Sequence, residues 1–443
     1  MDKIYHKNPN IFTYQLNSML YIVVNPMISD GMKVLNQIQK DVLDQINSKK
    51  TLTEIQKNLC LSNADMEKIL IQLKKKDFVS ETARFKSFFD NQSSPKSINV
   101  WVHTTNACNI ACTYCYIHKD ISHMHKDVYD KFYQKILQLV EERGLKKVTL
   151  RMAGGEPTTR LEYFTPFIDK LKNALEEKQC TLRIAFLTNL TIMNDEILAF
   201  IKKYRVSIST SLDGLKEFND KNRIYANGNG SFDKVLKNMN ILRDNNIPVF
   251  VNITIAQENM DGLLDLTKFL VERKLGFRYS FVNGIYIDKV KLASVLRKCY
   301  SYIEENLDKY PNFMKKHRLA DLKFQNPVTQ ACGAGRTTFL LNTDGSIHYC
   351  PMVLSEKKPI GSLDNEQDLI TQVSSQTKYN AFNTCFNCEY KHICAGGCPV
   401  EMQDGKSPFC DIFKEFIPVI YRLQAKQQIL KSLGIEKYNK LFK

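Results

Sequence analysis

The sequence predicts an α/β fold built on a parallel sheet, with a small α+β unit before it and a cysteine-rich unit after it. Three observations carry this reading. Between residues 98 and 282, strand-like apolar runs alternate with segments of helical periodicity through six units. Residues 1 to 90 instead place three short apolar runs ahead of three helical stripes. Ten of the thirteen cysteines fall in two tight groups, one directly after the first strand of the alternating region and one between residues 332 and 410.

In the first segment the runs Ile11 to Tyr14, Leu20 to Val24 and Met32 to Leu35 are separated by Asn17, Asn25, Pro26 and Gly31, which suit turns. Three helices are expected to follow. Ile38, Val42, Leu43 and Ile46 recur at helical spacing, and Ile55 with Leu59 fits a second, short helix. Ser62 with Asp65 resembles an N-terminal cap for a third, whose stripe is Met66, Ile69, Leu70 and Leu73. The pattern is that of a small winged helix. The polar stretch at 88 to 97 reads as a linker.

The alternating region offers strands at Ile98 to His103, Lys147 to Met152, Leu182 to Thr188, Val206 to Leu212, Val249 to Ile255 and Phe277 to Phe281. Helices are predicted between them, among others Phe132 to Glu142, Tyr163 to Glu176, Phe232 to Asn245 and Gly262 to Arg273. Such units form a parallel sheet, open or curved into a partial barrel, with chemistry at the carboxyl ends of the strands. Residues 283 to 330 read as a helical bridge, 331 to 411 as the cysteine-rich unit, and 412 to 443 as a basic amphipathic helix.

Composition narrows the class. With 43% hydrophobic and 25% charged residues, 443 residues suffice for several buried cores, and neither disorder nor a membrane span is indicated. The start lacks a secretory pattern, which points to the cytoplasm. Sixty-two Lys and Arg against 47 Asp and Glu give a net charge of +15, which favours an acidic partner. The first 90 residues hold 13 basic against 10 acidic groups, so the excess is not one nucleic-acid-binding arm. In a reducing compartment this cysteine density points to metal binding or catalysis rather than disulfides.

The first cysteine group is Cys108, Cys112 and Cys115, spaced C-x3-C-x2-C. Three thiolates on one loop can hold three irons of a 4Fe-4S cluster and leave the fourth open; a zinc site would need His103 or His118 as well. Beyond it, the second strand ends in Gly154, Gly155, Glu156 and Pro157, the third in Thr188 and Asn189, and the fourth in Ser211, Asp213 and Gly214, with Arg223 following. In these features the chain resembles the radical S-adenosylmethionine (SAM) superfamily, whose fold is a partial (β/α)6 TIM-like barrel. The resemblance implies that Gly154, Gly155 and Glu156 bind the methionyl amino group, that Ser211 and Arg223 contact the SAM carboxylate or ribose, and that Tyr114 lies against adenine. Asn189 matches a Thr-Asn-Gly element in which Leu190 replaces the glycine.

The second group is Cys332, Cys350, Cys385, Cys388, Cys394, Cys398 and Cys410, too many for one cluster or one zinc. It resembles the SPASM extension of peptide-modifying radical SAM enzymes. The resemblance implies two auxiliary 4Fe-4S clusters, one on Cys385, Cys388, Cys394 and Cys410 and one on Cys332, Cys350 and Cys398. The latter set is a ligand short; Cys299 would complete it, or its iron stays open. A zinc ribbon over residues 385 to 398 is the alternative. Cys60, Cys180 and Cys299, if unpartnered, read as small buried hydrophobes and are assigned no role.

Three strands before three helices also resemble the peptide-recognition element of enzymes that mature ribosomal peptides, where a leader peptide adds beside the third strand and the third helix. Lys74, Lys75 and Lys76 would then meet leader carboxylates; DNA binding is the other reading of this unit. The implied activity is hydrogen abstraction by a 5'-deoxyadenosyl radical from a residue of a precursor peptide, ending in an intrapeptide crosslink such as a Cys thioether. Implied partners are the leader-bearing precursor and an electron donor such as flavodoxin or ferredoxin. Carbon-carbon crosslinking, epimerisation and sulfatase maturation are alternatives, though Pro351 stands where sulfatase-maturing enzymes place an Asp base. A zinc-bearing regulator that binds DNA is the non-enzymatic one.

Overall fold

The computed structural model describes residues 3–90, 95–282, 284–375 and 385–443. The first unit opens with β1 (His6–Lys7), then β2 (Phe12–Gln15), β3 (Leu20–Val24) and β4 (Met32–Asn36). Next come α1 (Gln37–Gln45), α2 (Leu52–Asn58), α3 (Asn63–Lys75) and β5 (Val79–Ser80). Strands β2, β3 and β4 form an antiparallel sheet in that order, and β1 pairs with β5. Each helix starts where its sequence offers a cap: Asn36, Thr51 and Ser62 accept the amide three residues on. The expected α3 stripe, Met66, Ile69, Leu70 and Leu73, is buried against Leu35, Val42 and Phe78.

The central region alternates β6 (Ser97–His103), α4 (Lys126–Arg143), β7 (Lys147–Ala153), α5 (Leu161–Glu177), β8 (Thr181–Leu187), α6 (Asp195–Tyr204), β9 (Ser207–Ser211), α7 (Lys216–Asn222) with α8 (Phe232–Asp244), β10 (Val249–Ile255), α9 (Leu263–Glu272) and β11 (Gly276–Phe281). Strands β6 to β11 are parallel and neighbours in chain order. Alternation sorts their side chains. One face buries Val100, Val102, Leu150, Met152, Phe186, Ile208, Val251, Ile253 and Tyr279, while the other carries half-buried Asn99, Trp101, Thr149, Arg151, Ser209, Asn252 and Arg278.

The rest of the chain is α10 (Lys289–Glu305), β12 (His317–Leu319), β13 (Thr338–Leu341), β14 (Ser346–His348), β15 (Gly361–Ser362), α11 (Leu369–Ser374), α12 (Lys391–Cys394), α13 (Cys410–Leu433) and α14 (Ile435–Phe442). Here the structure departs from the sequence reading in three ways. The segment after residue 283 is not purely helical, since β12 extends the sheet beside β11. From the cysteine-rich region β13 pairs in parallel with β6, so both edges of the six-stranded sheet are covered and ten strands run in one sheet. The closing helix is two helices parted at Gly434, whose φ is +79°.

Most of α13 is core rather than surface. Phe416, Ile417, Ile420, Tyr421 and Leu423 are almost fully buried, and its charges face α10, where Glu304 takes both Arg422 and Lys426 at 2.7 Å. The same helix reaches the first unit. Phe12 packs its ring on Tyr390 and Tyr421 at 5.6 and 6.0 Å, and the Tyr14 hydroxyl donates to that of Tyr390 at 2.8 Å. Of the expected linker, residues 91–94 lie outside the described residues; before them the Phe88 amide donates to the Met27 carbonyl and Phe89 lies 5.0 Å from His392. Among the described residues no helix is long and apolar enough to cross a membrane.

Because Phe12 joins the first unit to the α13 core, Phe12→Ala is expected to destabilise the protein by about 3–4 kcal/mol. Urea unfolding checks this, together with limited proteolysis, in which residues 3–90 are expected to be cut first.

Candidate active site

The residues singled out by sequence gather at the carboxyl ends of β6 to β9. The loop after β6 carries Cys108, Cys112 and Cys115 and is held from two sides. On one side the turn after β7 clamps it: Gly155 N donates to Thr105 O at 2.6 Å and Glu156 N to Ala107 O at 2.9 Å. This approach needs both glycines. A Cβ on Gly154, at φ +132°, would lie 2.3 Å from the Thr105 carbonyl, and one on Gly155 would lie 2.0 Å from that of Ala107. On the other side the segment after α7 pairs with the loop, through Ala111 N to Ile224 O and Thr113 N to Asn222 O.

Glu156 is fully buried, and its carboxylate is engaged within the chain. It accepts the Thr158 amide and hydroxyl at 3.1 and 2.7 Å, the Thr188 hydroxyl at 2.7 Å and the Asn189 amide at 2.7 Å. Burial raises its pKa, opposed by these donors. The carboxylate therefore fixes the ends of β7 and β8 together. Asn189, so placed, directs its side-chain amide to Cys108 Sγ at 3.7 Å and to Asn109 Oδ1 at 2.8 Å. Leu190 has φ +58°, which explains why glycine suits this position; its buried side chain keeps the strained backbone in place.

Arg223 is buried in a bidentate pair with Asp213, at 2.9 and 3.3 Å, and its third nitrogen lies 3.9 Å from Cys112 Sγ. Its guanidinium sits 5.5 Å from the Tyr114 ring centre, and the Tyr114 hydroxyl donates to Asp213. Burial pushes the Tyr114 phenol far above its ordinary range, so it remains a donor. Sequence reasoning assigned Arg223 and Tyr114 to SAM and gave Asp213 no role. The structure shows Asp213 as their common partner, also bonded through its carbonyl to Asn259 at 2.9 Å. Its signal was present in the Ser-x-Asp-Gly element. Ser211 ends β9 on the polar face beside Asn252.

Burial pushes the Cys108 and Cys112 thiols up, so metal binding must supply the energy to deprotonate them. Cys385, Cys388, Cys394 and Cys410 line one partly open pocket together with Lys406 and Lys414. Burial holds Cys394 up at about 12. Cys332 and Cys350 pack on Ala334, Tyr349 and Val353, and Cys398 is close enough to Cys332 to feel its charge. Cys299 is fully buried in α10 beside Thr267 and Tyr279, apart from the Cys332 set it was considered to complete.

This donor chemistry fits iron-sulfur groups. Among the described residues no three His, Cys, Asp or Glu side chains converge on one metal ion. The four-cysteine set surrounds a larger volume, and thiolates of a cluster sit on separate irons.

Residues 102–270 match the family model described as the Radical SAM superfamily. The chain carries a radical SAM domain. A cysteine-type anaerobic sulfatase-maturating enzyme of Clostridium novyi is 25% identical over 362 residues, 72% of this chain and 94% of that protein. The radical SAM cyclopropyl synthase TigE of Paramaledivibacter caminithermalis is 22% identical over 431 residues, 87% of this chain and 89% of the relative. Among solved structures, anSMEcpe with bound AdoMet has a TM-score of 0.62 at 18% identity, covering 75% of this chain and 99% of its own. That likeness shows a common α/β fold around a large central sheet. Residues 102–270 thus carry the similarity to the Radical SAM superfamily, and over most of its length the chain is similar to anaerobic sulfatase-maturating enzymes and to a radical SAM cyclopropyl synthase.

Glu156→Ala removes one buried acceptor from four donors. A loss of roughly 3–5 kcal/mol is expected, measured by urea unfolding, and iron bound at the first site is expected to fall because Asn189 loses its anchor.

Proposed function

We propose that this enzyme modifies a ribosomally made precursor peptide in the cytoplasm and forms an intrapeptide crosslink, a Cys thioether. The observation that carries the reading is the combination of the donor-lined loop of Cys108, Cys112 and Cys115 with a second group of seven free cysteines, four of which line one pocket. In this reading the loop holds the SAM-binding cluster, Cys385, Cys388, Cys394 and Cys410 hold a complete auxiliary cluster, and Cys332, Cys350 and Cys398 hold one with an open iron. When bound, SAM and its cluster supply a carbon radical able to take an unactivated hydrogen.

The chain's own residues do the rest. Asn189 and Arg223 direct N–H groups at the sulfurs of Cys108 and Cys112, which stabilises thiolate charge and tunes the site's potential. Asp213 keeps Arg223 and Tyr114 in place beside that loop. Gly154, Gly155 and Ser211, at neighbouring strand ends, are positioned to contact SAM; the Glu156 carboxylate acts indirectly, by fixing the strand ends. The polar face of the sheet receives the peptide, out of bulk water.

A leader peptide is assigned to the first unit. Strand β4 is an edge of its sheet and offers backbone groups for an added strand. On it Lys33 is pushed down by burial and by Lys76 and Lys75, a cationic cluster suited to an acidic leader. Lys74 differs: it is paired with Glu81 at 3.0 Å. Electrons come from a small acidic donor such as flavodoxin or ferredoxin, in keeping with the net charge of +15. Formylglycine formation in a sulfatase is the second reading, favoured by the near-complete coverage of the Clostridium relative and opposed by Pro351.

Two outcomes are expected. A short peptide encoded beside the gene, treated anaerobically with protein, SAM and reductant and then alkylated, loses two hydrogens and shows one cysteine protected; mass spectrometry reads both. Loss of hydrogens with every thiol alkylated would replace the thioether by a carbon-carbon link. Cys112→Ala abolishes SAM cleavage and keeps the auxiliary iron, as iron analysis and chromatography of cleavage products would show; retained cleavage would overturn the reading.

A further inference from the structure

The set of Cys332, Cys350 and Cys398 is one ligand short, and Cys299 is buried in α10 instead. Packing brings the three cysteines together. Cys332 and Cys350 pack on Ala334, Tyr349 and Val353, and Val400 joins the same cluster from the segment after Cys398. Tyr349 ties the two loops to each other. Its hydroxyl receives the Gln330 side-chain amide at 3.4 Å, and a Cβ on Gly335 would lie 2.3 Å from its ring edge. Glu401 turns back on its own loop, with N donating to Cys398 O at 3.1 Å.

Two residues before Cys350, at the end of β14, stands His348. It is 3% exposed, and its Nδ1 is buried without a hydrogen-bond partner. The other ring nitrogen shows which tautomer is present. Nε2 lies 3.1 Å from Ser346 Oγ, and that hydroxyl lies 2.5 Å from Asp344 Oδ1, which also accepts the Ser346 amide at 2.9 Å. Asp344 is an exposed carboxylate, ionised at neutral pH, and can only accept. The hydroxyl proton therefore points at Asp344. The Ser346 oxygen is left with lone pairs, one taken by Asn342 Nδ2 at 3.4 Å, so Nε2 must carry the proton that meets the other. A second ring proton would bury an unpaired cation. Nδ1 is thus a bare lone pair in a buried place. This is how proteins orient a metal-binding histidine: one ring nitrogen donates into hydrogen bonds that end on a carboxylate, and the other faces the metal. Imidazole is also an established ligand of cluster iron.

We propose that His348 Nδ1 is the fourth ligand of the cluster held by Cys332, Cys350 and Cys398 in the peptide-free enzyme. This rests on the reading of those cysteines as a cluster set. The iron that they leave open then carries a neutral imidazole, which an anionic thiolate of the peptide can replace. That exchange swaps one iron-nitrogen bond for one iron-sulfur bond and moves no electron; the thiol loses its proton to solvent before it binds.

The test is pulsed EPR of the reduced full-length protein, prepared anaerobically with nitrogen-15-labelled histidine in a Cys112→Ala background that removes the first cluster's signal. A strong nitrogen hyperfine coupling from a directly bound imidazole is expected, and its loss in His348→Gln. His348→Cys, which offers a thiolate in the same place, is expected to keep the iron and sulfide content and to shift one auxiliary reduction potential downward, since thiolate replaces the neutral imidazole. This second variant decides the matter should His348→Gln fail to fold. Absence of nitrogen coupling, or coupling unchanged in His348→Gln, would overturn the proposal. So would a spectrum that changes in Glu401→Gln and not in His348→Gln, which would assign the position to a carboxylate. If the wild-type protein holds iron for fewer than three clusters, the reading of the Cys332 set falls and the ligand with it. Iron for three clusters without nitrogen coupling removes the ligand alone.

Discussion

The buried carboxylate of Glu156 is the constraint from which the site is built. Two of its donors are main-chain amides, which the fold cannot withdraw, and they belong to the turn after β7 and the start of the β8 loop. Where these meet, Gly154 and Gly155 let the backbone close on the cysteine loop, and Asn189 turns its amide toward Cys108. A buried acid is costly when unpaired and strongly localising when each lone pair is used. The relative positions of two strand ends thus follow from a single side chain.

A second buried acid does the corresponding work on the other side. Asp213 gathers Arg223, Tyr114 and Asn259, and Arg223 in turn reaches Cys112. Cys108 and Cys112 therefore each face an N–H donor whose position is set by a buried carboxylate. Removing water from the thiolates without such donors would favour the neutral thiol, as burial does at Cys394.

The sheet explains how distant parts of the chain share this surface. Six parallel strands present an apolar face to the helices and a polar face to the opposite side, and neither edge is left open. Strand β12 closes one edge and β13 the other, so the cysteine-rich region is anchored to the same sheet as the first loop. Helix α13 then ties that region to the first unit through Phe12, Tyr390 and Tyr421. The three units are held by one continuous layer of aromatic and aliphatic packing.

Much of this was legible in the sequence. Alternation of period two and period 3.6 located all six strands, because burial on one face writes itself into every second residue. Cysteine spacing singled out the loop after β6, since ligands that share a loop must be close in the chain. In the sequence Asp213 had no assigned role, and the internal hydrogen bonds that Glu156 and Arg223 make were not visible. Several of their hydrogen-bond partners lie 10 to more than 100 residues away, at distances no local pattern records. Sequence reasoning read the closing segment as one basic amphipathic helix and could not show that two of its basic residues are met by Glu304 of α10. Local periodicity determined the elements and cysteine spacing singled out the loop after β6; only the tertiary structure decided which polar groups are consumed inside the fold, as at Glu156 and Asp213, since that depends on what each group touches once water is excluded.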